Sequence, residues 1–389
     1  MAHILASDAA SAAVMADRPV RVALAGGGTG GHLVPGLHLL RHAMEFGPRL
    51  EHVLWFTSGR PVEREVLRGL AEELPGVAVE VLPLPLESPG GGAPGTWQLL
   101  RRSPRATHLA RRALVQAGSE VLLGLGGFTA LPAVLAARSL RVPVGLYEVN
   151  AVAGKATRRL GSLAQVVLHA GAHSVGAREG DKARVIGPIV GPKFQPAGNA
   201  VARGAAKRAV GFAPDRPLLL VLGGSQGAGA VNQFVAHHAE MWTEAGWQVL
   251  HQVGPSRLAE GAGVLPHYRA VEYWQDMAGA LQAADLVLGR GGASTLAEIG
   301  AVHVPTWVAP FPHHADRHQW HNAAYYGGGM RIVEDAQLDG VHALELARLA
   351  TPEGRAQLEA RRAAFPDLGA PGAERAWQEL VALLPVRRS

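Results

Sequence analysis

Short apolar runs alternate along the chain with longer stretches in which apolar residues recur every three or four positions. The runs have the length of buried β-strands, and the longer stretches have the spacing of helices packed on one face. The predicted strands are 20–25, 52–57, 77–82, 120–125, 142–148, 165–168, 184–186, 217–222, 248–252, 268–272, 285–288 and 304–309. Strand–helix alternation of this kind predicts an α/β protein with parallel sheets and helices on both faces.

Glycine-rich loops follow several of these strands, and each loop opens a predicted helix. The first is Gly26-Gly27-Gly28-Thr29-Gly30-Gly31-His32, the second is Gly223-Gly224-Ser225-Gln226-Gly227, and the third covers 289–292. The first two lie about 200 residues apart, and each starts its own strand–helix array. This repetition predicts two similar Rossmann-like domains that face a shared cleft.

Breaks in the pattern suggest where the domains divide. Residues 1–18 are small and lack the positive start of a signal peptide, so they are predicted to be a disordered tail. Two prolines and two glycines within 187–192 indicate a hinge. The predicted divisions are an N-terminal domain over 19–187, the hinge 188–193, a C-terminal domain over 194–365, and a final helical segment over 366–389 that packs back on the N-terminal domain.

Composition narrows the class of protein. The 389 residues are 48% hydrophobic and 18% charged, which is typical of globular domains. The chain has no cysteine, which excludes disulfides and thiolate chemistry. A net charge of +5 favours anionic partners, but aromatic residues are sparse and nothing resembles a nucleic-acid-reading element. No apolar run is long enough to span a membrane, so a cytoplasmic protein is expected.

The first glycine loop is suited to a phosphate group, because glycines let backbone amides approach an anion at the start of a helix. His32 is the only ionisable side chain in the loop and is a candidate general base. The dinucleotide fingerprint also fits, but no acidic residue ends the second strand. Arg60 there leaves an NADP-dependent oxidoreductase open as an alternative. A third possibility is a tight turn with no ligand.

Polar residues at the ends of later strands and starts of later helices are further candidates. Glu148 ends the strand 142–148 and Asn150 follows it, at the edge where parallel sheets bind ligands. Glu298 falls early in the helix after the third glycine loop, where a carboxylate can accept hydrogen bonds from a cis-diol such as a ribose. Helix capping and interaction with the helix dipole are the structural alternatives.

The densest polar cluster covers 310–322. If a helix starts at Asp316, Gln319 and Asn322 share one face, where amides can bind sugar hydroxyls. His314, His318 and His321 also share a face, which makes a metal site conceivable, but it is not favoured because no carboxylate second shell is evident.

The segment 82–117 interrupts the strand–helix alternation. A proline- and glycine-rich loop leads to Trp97 and to several arginines between 101 and 112. An apolar tip beside clustered arginines is typical of a membrane-surface anchor, and a solvated helix with ordinary surface arginines is the alternative.

These motifs, in this order, resemble those of GT-B glycosyltransferases, and most closely the MurG family. That family transfers N-acetylglucosamine from UDP to undecaprenyl-pyrophosphoryl-muramoyl-pentapeptide in peptidoglycan synthesis. The resemblance spans about 20–384 and rests on the sequences Gly27-Gly28-Thr29-Gly30-Gly31-His32, Gly126-Gly127-Phe128, Gly223-Gly224-Ser225-Gln226-Gly227, Ala293-Ser294-Thr295-Leu296-Ala297-Glu298 and Asp316-Arg317-His318-Gln319-Trp320-His321-Asn322.

The resemblance implies a role for each matching residue. Thr29, Gly30 and Gly31 are implied to lie at the diphosphate and acceptor side of the cleft, and Asn150 at both the donor and acceptor sides. His32 is implied to be the base or to contact the acceptor phosphate, and Glu148 is the other candidate base. Donor diphosphate contacts are implied for Gly224, Ser225, Gln226 and Gly227, and uracil pairing for the backbone at Trp274. The resemblance also implies that the nucleotide is bound by the motif residues Ala293, Ser294, Thr295, Leu296 and Glu298. Of these, Glu298 is implied to bind the ribose hydroxyls. His318, Gln319 and Asn322 are implied to bind the N-acetylglucosamine.

The resemblance therefore implies an inverting, metal- and cofactor-independent transfer onto the C4 hydroxyl of lipid I, giving lipid II. The enzyme would act at the cytoplasmic face of an anionic membrane. The chain departs from the family pattern at Tyr147, Val149, Val190 and His318. Another GT-B enzyme acting on a glycolipid or natural product, a sugar-nucleotide epimerase, a silent binding protein and the oxidoreductase remain alternatives.

Overall fold

The computed structural model describes residues 19–28, 30–47, 49–87, 95–176, 179–223, 228–261, 263–313, 316–367 and 372–385. The predicted tail 1–18, most of the proline- and glycine-rich loop, Thr29, residues 224–227 and His314 lie outside these ranges. The chain divides into two compact units, one formed by residues up to Gly191 together with the C-terminal segment from Gly369, the other by Pro192–Leu368.

A seven-stranded parallel sheet forms the centre of the N-terminal unit. Its strands are β1 (Val20–Gly26), β2 (Leu50–Thr57), β3 (Ala78–Pro83), β4 (Val121–Gly126), β5 (Val144–Glu148), β6 (Val166–His169) and β7 (Ala183–Val185), in the spatial order β3-β2-β1-β4-β5-β6-β7. Its helices are α1 (Val34–Phe46), α2 (Pro61–Val66), α3 (Leu70–Glu73), α4 (Thr96–Ala117), α5 (Ala130–Leu140) and α6 (Lys155–Leu160). The order reverses at β1, and the first glycine loop follows this strand.

The C-terminal unit repeats this arrangement with six strands. They are β8 (Leu218–Leu222), β9 (Gln248–Gln252), β10 (Tyr268–Val271), β11 (Leu286–Gly289), β12 (Thr306–Val308) and β13 (Met330–Ile332), in the order β10-β9-β8-β11-β12-β13. Its helices are α7 (Ala200–Ala209), α8 (Gly229–Glu244), α9 (Met277–Ala283), α10 (Ala293–Val302), α11 (His318–Ala324), α12 (Gly340–Arg348) and α13 (Pro352–Ala363).

Each sheet has a hydrophobic core on both faces. In β1, Val22 and Leu24 point to one face, whereas Ala23 and Ala25 point to the other, and all four are fully buried. This alternation is a consequence of the two-residue period of a strand. Strands buried on both faces read as continuous apolar runs, which is why most of them could be predicted.

The last helix, α14 (Gly372–Ala382), belongs to the N-terminal unit. Ala376, Trp377 and Leu380 are buried in the same core as Val22 and Leu24. Gly372 lies so close to the carbonyl oxygen of Pro188 that an added Cβ would stand 2.3 Å from it. The segment that completes this core is thus far from the rest of the unit in sequence.

The predicted element boundaries differ from the structure at a few places. Most strands begin or end within about two residues of the prediction, but β13 was missed. This strand has three residues and follows the glycines 327–329, so it carries no apolar run of its own. The helix expected from Asp316 begins at His318, because Arg317 takes a left-handed conformation with φ of 46°.

Candidate active site

The first glycine loop is packed against the protein's own atoms. A Cβ at Gly26 would stand 2.6 Å from the carbonyl oxygen of His32, and one at Gly27 would stand 2.7 Å from Oε1 of Glu63. Gly28 has φ of 90°, which favours glycine. The prediction attributed these glycines to the approach of a ligand, whereas internal packing already requires the first three. Gly30 lies in the short 3₁₀ helix Gly30–His32, together with Gly31.

His32 is the ionisable side chain of this loop, and its ring orientation follows from its contacts. Nδ1 lies 3.1 Å from the carbonyl oxygen of Gly27. The ring also packs on the second glycine turn, since a Cβ at Gly126 would stand 3.1 Å from Cδ2. A carbonyl oxygen can only accept, so Nδ1 carries the proton and Nε2 of the neutral ring is the basic nitrogen.

Glu148, the other candidate base, is buried at the end of β5. Its two carboxylate oxygens accept hydrogen bonds from Asn150 N and Nδ2 (both 3.0 Å), Gly154 N (2.7 Å) and Thr157 Oγ1 (2.6 Å). With both oxygens held by local donors, Glu148 orders the segment that contains Asn150. The geometry favours His32 over Glu148 as the base.

The residues predicted to bind the donor follow the carboxyl ends of strands of the C-terminal unit. Residues 224–227 of the second glycine loop fall outside the described ranges; in the sequence they stand between β8 and the sixteen-residue helix α8. The third glycine loop follows β11 and opens α10. Ala293, Ser294, Thr295, Leu296 and Glu298 occupy the first two turns of this helix, and Glu298 is buried there.

Side chains from α11 hold the third glycine loop. Oε1 of Gln319 accepts hydrogen bonds from the backbone N–H groups of Gly291 (3.2 Å) and Phe311 (2.8 Å). Nδ2 of Asn322 donates to the carbonyl oxygen of Gly291 at 3.1 Å. The prediction gave both amides to sugar hydroxyls, but the oxygen of Gln319 and the nitrogen of Asn322 are engaged with backbone. In Gln319 this leaves Nε2 as the end that can donate to a ligand.

Arg290 fixes the same loop from its other side. Its guanidinium forms an ion pair with Asp335, with Nη1 and Oδ1 2.6 Å apart, and donates to the carbonyl oxygen of Ala309 at 3.0 Å. Both charged side chains are nearly buried, so each depends on the other. The loop is therefore rigidly held before any ligand arrives.

The remaining predicted residues have local partners. Nδ1 of His318 lies 2.7 Å from Oδ1 of Asp316, and this hydrogen bond lowers the pKa of Asp316. The backbone N–H of Trp274 donates to Oε1 of Gln252 at 3.0 Å, so it is already engaged.

Two groups of polar side chains near these loops were not predicted. Glu63 contacts the first glycine loop, and a glutamate at the third position of a helix that begins with Pro61 is a capping signal visible in sequence. In the C-terminal unit, His251 is bonded to Asn232 of α8 and to Tyr268. No local pattern marks that network, because its members come from three elements.

Comparison with known proteins identifies the family. Residues 22–169 match the glycosyltransferase family 28 N-terminal domain, and residues 218–363 match its C-terminal domain. The chain belongs to glycosyltransferase family 28. The first of these matches contains His32 and Glu148, and the second contains Trp274, Glu298 and the α11 amides.

Relatives within family 28 match nearly the whole chain. A UDP-N-acetylglucosamine–N-acetylmuramyl-(pentapeptide) pyrophosphoryl-undecaprenol N-acetylglucosamine transferase of Synechococcus sp. (strain JA-3-3Ab) is 34% identical over 375 residues, which cover 93% of this chain and 96% of the relative. The transferase of the same name from Leifsonia xyli subsp. xyli is 40% identical over 80% of this chain and 84% of its own.

A solved structure shares the fold. Acinetobacter baumannii MurG superposes with a TM-score of 0.63 at 23% identity, covering 93% of this chain and 99% of the other. The predicted GT-B fold and the glycosyltransferase class are thus confirmed. The oxidoreductase alternative is wrong, because a family 28 chain uses its glycine loops in a glycosyltransferase fold.

Proposed function

We propose that this protein transfers N-acetylglucosamine from UDP-N-acetylglucosamine to the C4 hydroxyl of the muramoyl unit of lipid I. The observation that carries this proposal is the similarity to N-acetylglucosamine transferases named for this donor and acceptor, which extends over both units. The loops described above lie within the matched ranges.

His32 is the proposed general base. Because Nδ1 keeps its proton and donates it in a hydrogen bond to the carbonyl oxygen of Gly27, Nε2 is the nitrogen that accepts the proton of the acceptor hydroxyl. The hydroxyl oxygen then forms a bond to the anomeric carbon of the donor sugar, while the bond from that carbon to the UDP oxygen breaks. Attack from the face opposite the leaving group inverts the anomeric configuration.

The departing UDP carries the negative charge that develops. Backbone N–H groups in the first turns of α8 and α10, together with the dipoles of these helices, supply positive potential for a diphosphate. Such fixed donors stabilise a leaving group without a metal ion. We therefore propose metal-independent transfer.

Glu298 and Gln319 are the proposed donor-recognition residues. Glu298 is held in the second turn of α10, where its carboxylate can accept from both ribose hydroxyls. Gln319 has its amide oxygen fixed by Gly291 and Phe311, so its Nε2 donates to a sugar hydroxyl. A pre-oriented amide loses less conformational entropy when it binds.

Membrane docking through α4 is also part of the proposal, because lipid I carries an undecaprenyl chain. None of the described helices is long and apolar enough to cross a membrane. Trp97, at the start of α4, is 85% exposed, and the exposed Arg101, Arg105 and Arg112 follow at spacings that share one face. The sequence 96–117 contains no acidic residue, so this face is suited to the anionic cytoplasmic leaflet.

Donor binding is tested by thermal unfolding with UDP, UDP-N-acetylglucosamine, UDP-glucose and NADPH. A ligand that binds only the folded state raises its stability. We expect the first two to raise the melting temperature, and Glu298→Ala to remove that effect. Glu353→Ala, an exposed glutamate in the first turn of α13, is the matched control and should respond as wild type. No response to any uridine nucleotide would overturn the proposal.

The reaction itself is tested with lipid I in detergent. Transfer should continue in the presence of EDTA, and loss of activity there would refute the metal-independent mechanism. His32→Ala should lower kcat by about 100-fold or more, the range typical of a removed general base. An unchanged kcat would exclude His32 as the base.

A further inference from the structure

Glu63 is a buried carboxylate that links two loops of the N-terminal unit. It lies at the third position of α2 and is 1% exposed. Its Oε2 accepts hydrogen bonds from the backbone N–H groups of Ser58 (2.9 Å), Gly59 (2.7 Å) and Arg60 (3.0 Å). The bond to Arg60, the N-cap residue, is that of a capping box, and the three bonds together order the segment before α2.

The other oxygen of Glu63 reaches the first glycine loop. Oε1 accepts from the backbone N–H of Gly28 at 2.5 Å and from Oγ of Ser58 at 2.6 Å. Gly28 lies 35 residues earlier in the chain, so this bond is not needed to cap α2. Because it joins a buried charge to an amide, it is among the stronger kinds of hydrogen bond in proteins.

Arg60 binds the other polar backbone group of Gly28, its carbonyl oxygen. Its Nη1 donates to the carbonyl oxygen of Gly28 at 2.7 Å, and its guanidinium lies 5.5 Å from the ring centroid of Phe128. An ion pair with Glu87 fixes the guanidinium further. Both polar backbone groups of Gly28 are thus bonded to side chains of the segment before and within α2. We call Glu63 and Arg60 the Gly28 clamp.

The clamp removes the N–H of Gly28 from the loop amides that a ligand could use. The N–H of Gly28 is consumed by a carboxylate, whose charge would also repel a phosphate at that position. The N–H of Gly28 is therefore not a site for an anionic acceptor, and the loop residues that follow it in the described structure are Gly30, Gly31 and His32.

We propose that the Gly28 clamp positions the 3₁₀ segment Gly30–His32 for the acceptor, and that Glu63 and Arg60 are positioning residues of the transfer reaction. This rests on the proposed function, which assigns this loop to the acceptor side. The clamp acts through Gly28 and contacts no substrate itself, so its loss should change acceptor use and not donor use.

Glu63→Gln is the sharpest variant. A glutamine has one acceptor oxygen, and if that oxygen keeps the three N–H groups of 58–60, its NH₂ faces the N–H of Gly28, where two donors cannot bond. The helix cap is retained while the link to the glycine loop is lost. Arg60→Met is the second variant, because it frees the carbonyl of Gly28 and keeps an aliphatic chain over Phe128.

The matched control is Glu51→Gln. Glu51 also accepts hydrogen bonds from an arginine of the same unit, Arg21, but near the start of β2, at the opposite end of the strand from the glycine loop. It should leave every readout below at the wild-type value.

Hydrogen exchange measures the ordering directly and needs no substrate. In both clamp variants, peptides that contain residues 26–32 should exchange faster than in wild type, while peptides of β4 and α5 should not. Unchanged exchange at 26–32 in both variants would overturn the proposal.

Steady-state kinetics measure the consequence for the acceptor. In Glu63→Gln, kcat/KM for lipid I should fall about tenfold or more, a factor that corresponds to about 1.4 kcal/mol, while KM for UDP-N-acetylglucosamine should stay within about twofold. An equal loss for both substrates would indicate general destabilisation and overturn the positioning role. A wild-type protein inactive on lipid I would overturn the proposed function, and exchange would still decide whether the clamp orders the loop.

Discussion

Several buried polar side chains near the strand ends are bonded to the backbone of neighbouring loops. Glu63 and Glu148 each hold several donors, and Asn322 donates to Gly291. A buried charge or amide left without partners would be costly, so these bonds are required for folding. The same bonds fix the loops at the strand ends before a substrate binds.

His251 allows a test at the scale of one residue. It is fully buried, its Nδ1 lies 2.8 Å from the hydroxyl of Tyr268, and its Nε2 lies 3.0 Å from Oδ1 of Asn232. Nδ2 of Asn232 donates to Val253 and Glu260, so Oδ1 is the end that faces His251 and Nε2 carries the proton. Burial lowers the pKa of His251 from 6.5 to about 4.

We predict that this histidine makes the protein less stable in mild acid. Its pKa is lower in the folded state, so the unfolded state binds the proton first as the pH falls. Above about pH 6.5 the neutral His251 does not reduce the free energy of unfolding. As the pH falls from 6.5 towards 4, that free energy decreases by about 3 kcal/mol in all. Chemical denaturation of wild type and His251→Gln between pH 4 and 7 measures it.

In His251→Gln the acid-dependent part of the unfolding free energy should shrink by that amount. His108→Gln, which changes an exposed histidine of α4, should keep the wild-type pH profile. Parallel pH profiles for wild type and His251→Gln would contradict the prediction.

For single residues, the sequence indicates several candidate side chains but not the backbone groups that they bond. His32 is found because it is the single ionisable side chain in a glycine loop. Glu63 could be placed as a helix cap, yet its bond to Gly28 spans 35 residues and has no sequence signature. Likewise, the spacing of Gln319 and Asn322 indicates a shared face, but not that they bond the third glycine loop.

Among the elements, the buried strands are the ones best predicted from sequence. A strand covered on both faces needs apolar residues throughout, so its position can be read from the sequence alone. The start of α11 could not be predicted from the sequence. Arg317 takes a left-handed conformation there, and glycine or asparagine would ordinarily mark such a position. The packing around Arg317 includes an ion pair with Glu334 and contact with the ring of Trp320.

Helix α4 gives a prediction at the scale of one element. Its inner face is buried by Ala106, Ala110 and Leu114, while Trp97 and the basic face are exposed. We predict that the protein binds vesicles containing anionic lipid and that added salt weakens this binding. Replacing Arg101, Arg105 and Arg112 together by glutamine should weaken it about 100-fold, at about 1 kcal/mol for each basic residue.

Vesicle sedimentation measures this binding, and Arg348→Gln on α12 is the control for loss of charge elsewhere. Trp97→Ala should also reduce binding, to vesicles of either charge, because its contribution is apolar. Equal binding by the triple variant and wild type would show that α4 is a solvated helix.

For the whole molecule, the two-domain α/β fold follows from a repeated local pattern. A strand, a glycine loop and a helix occur near the start of each sheet, and the structure confirms two parallel sheets of seven and six strands. The division after Gly191 lies within the segment 188–193, whose role as a hinge remains a prediction. That α14 packs in the N-terminal unit, far from it in sequence, is established by its three-dimensional contacts.

Trp377 tests the independence of the two units. It is 4% exposed and packs in the core of the N-terminal unit. Trp377→Ala should lower the free energy of unfolding of that unit by about 3–5 kcal/mol, the range for removing a large buried aromatic side chain. UDP affinity should remain at the wild-type value, because the proposed donor residues lie in the other unit. Denaturant unfolding and calorimetric titration with UDP measure the two effects.

Trp97→Ala is the matched control, since the same side chain is removed from an exposed position and stability should change by less than about 0.5 kcal/mol. A loss of UDP affinity in Trp377→Ala would show that the units do not respond separately.

The place of α14 also bears on how the chain folds as it is made. Residues of the N-terminal unit leave the ribosome first, yet Ala376, Trp377 and Leu380 of its core are synthesised last. Domains ordinarily fold in the order of synthesis. Here the C-terminal unit is complete while the earlier one still lacks a helix, so the first domain to emerge is the last to finish, and nascent chains stalled before α14 should expose an unfinished core to chaperones.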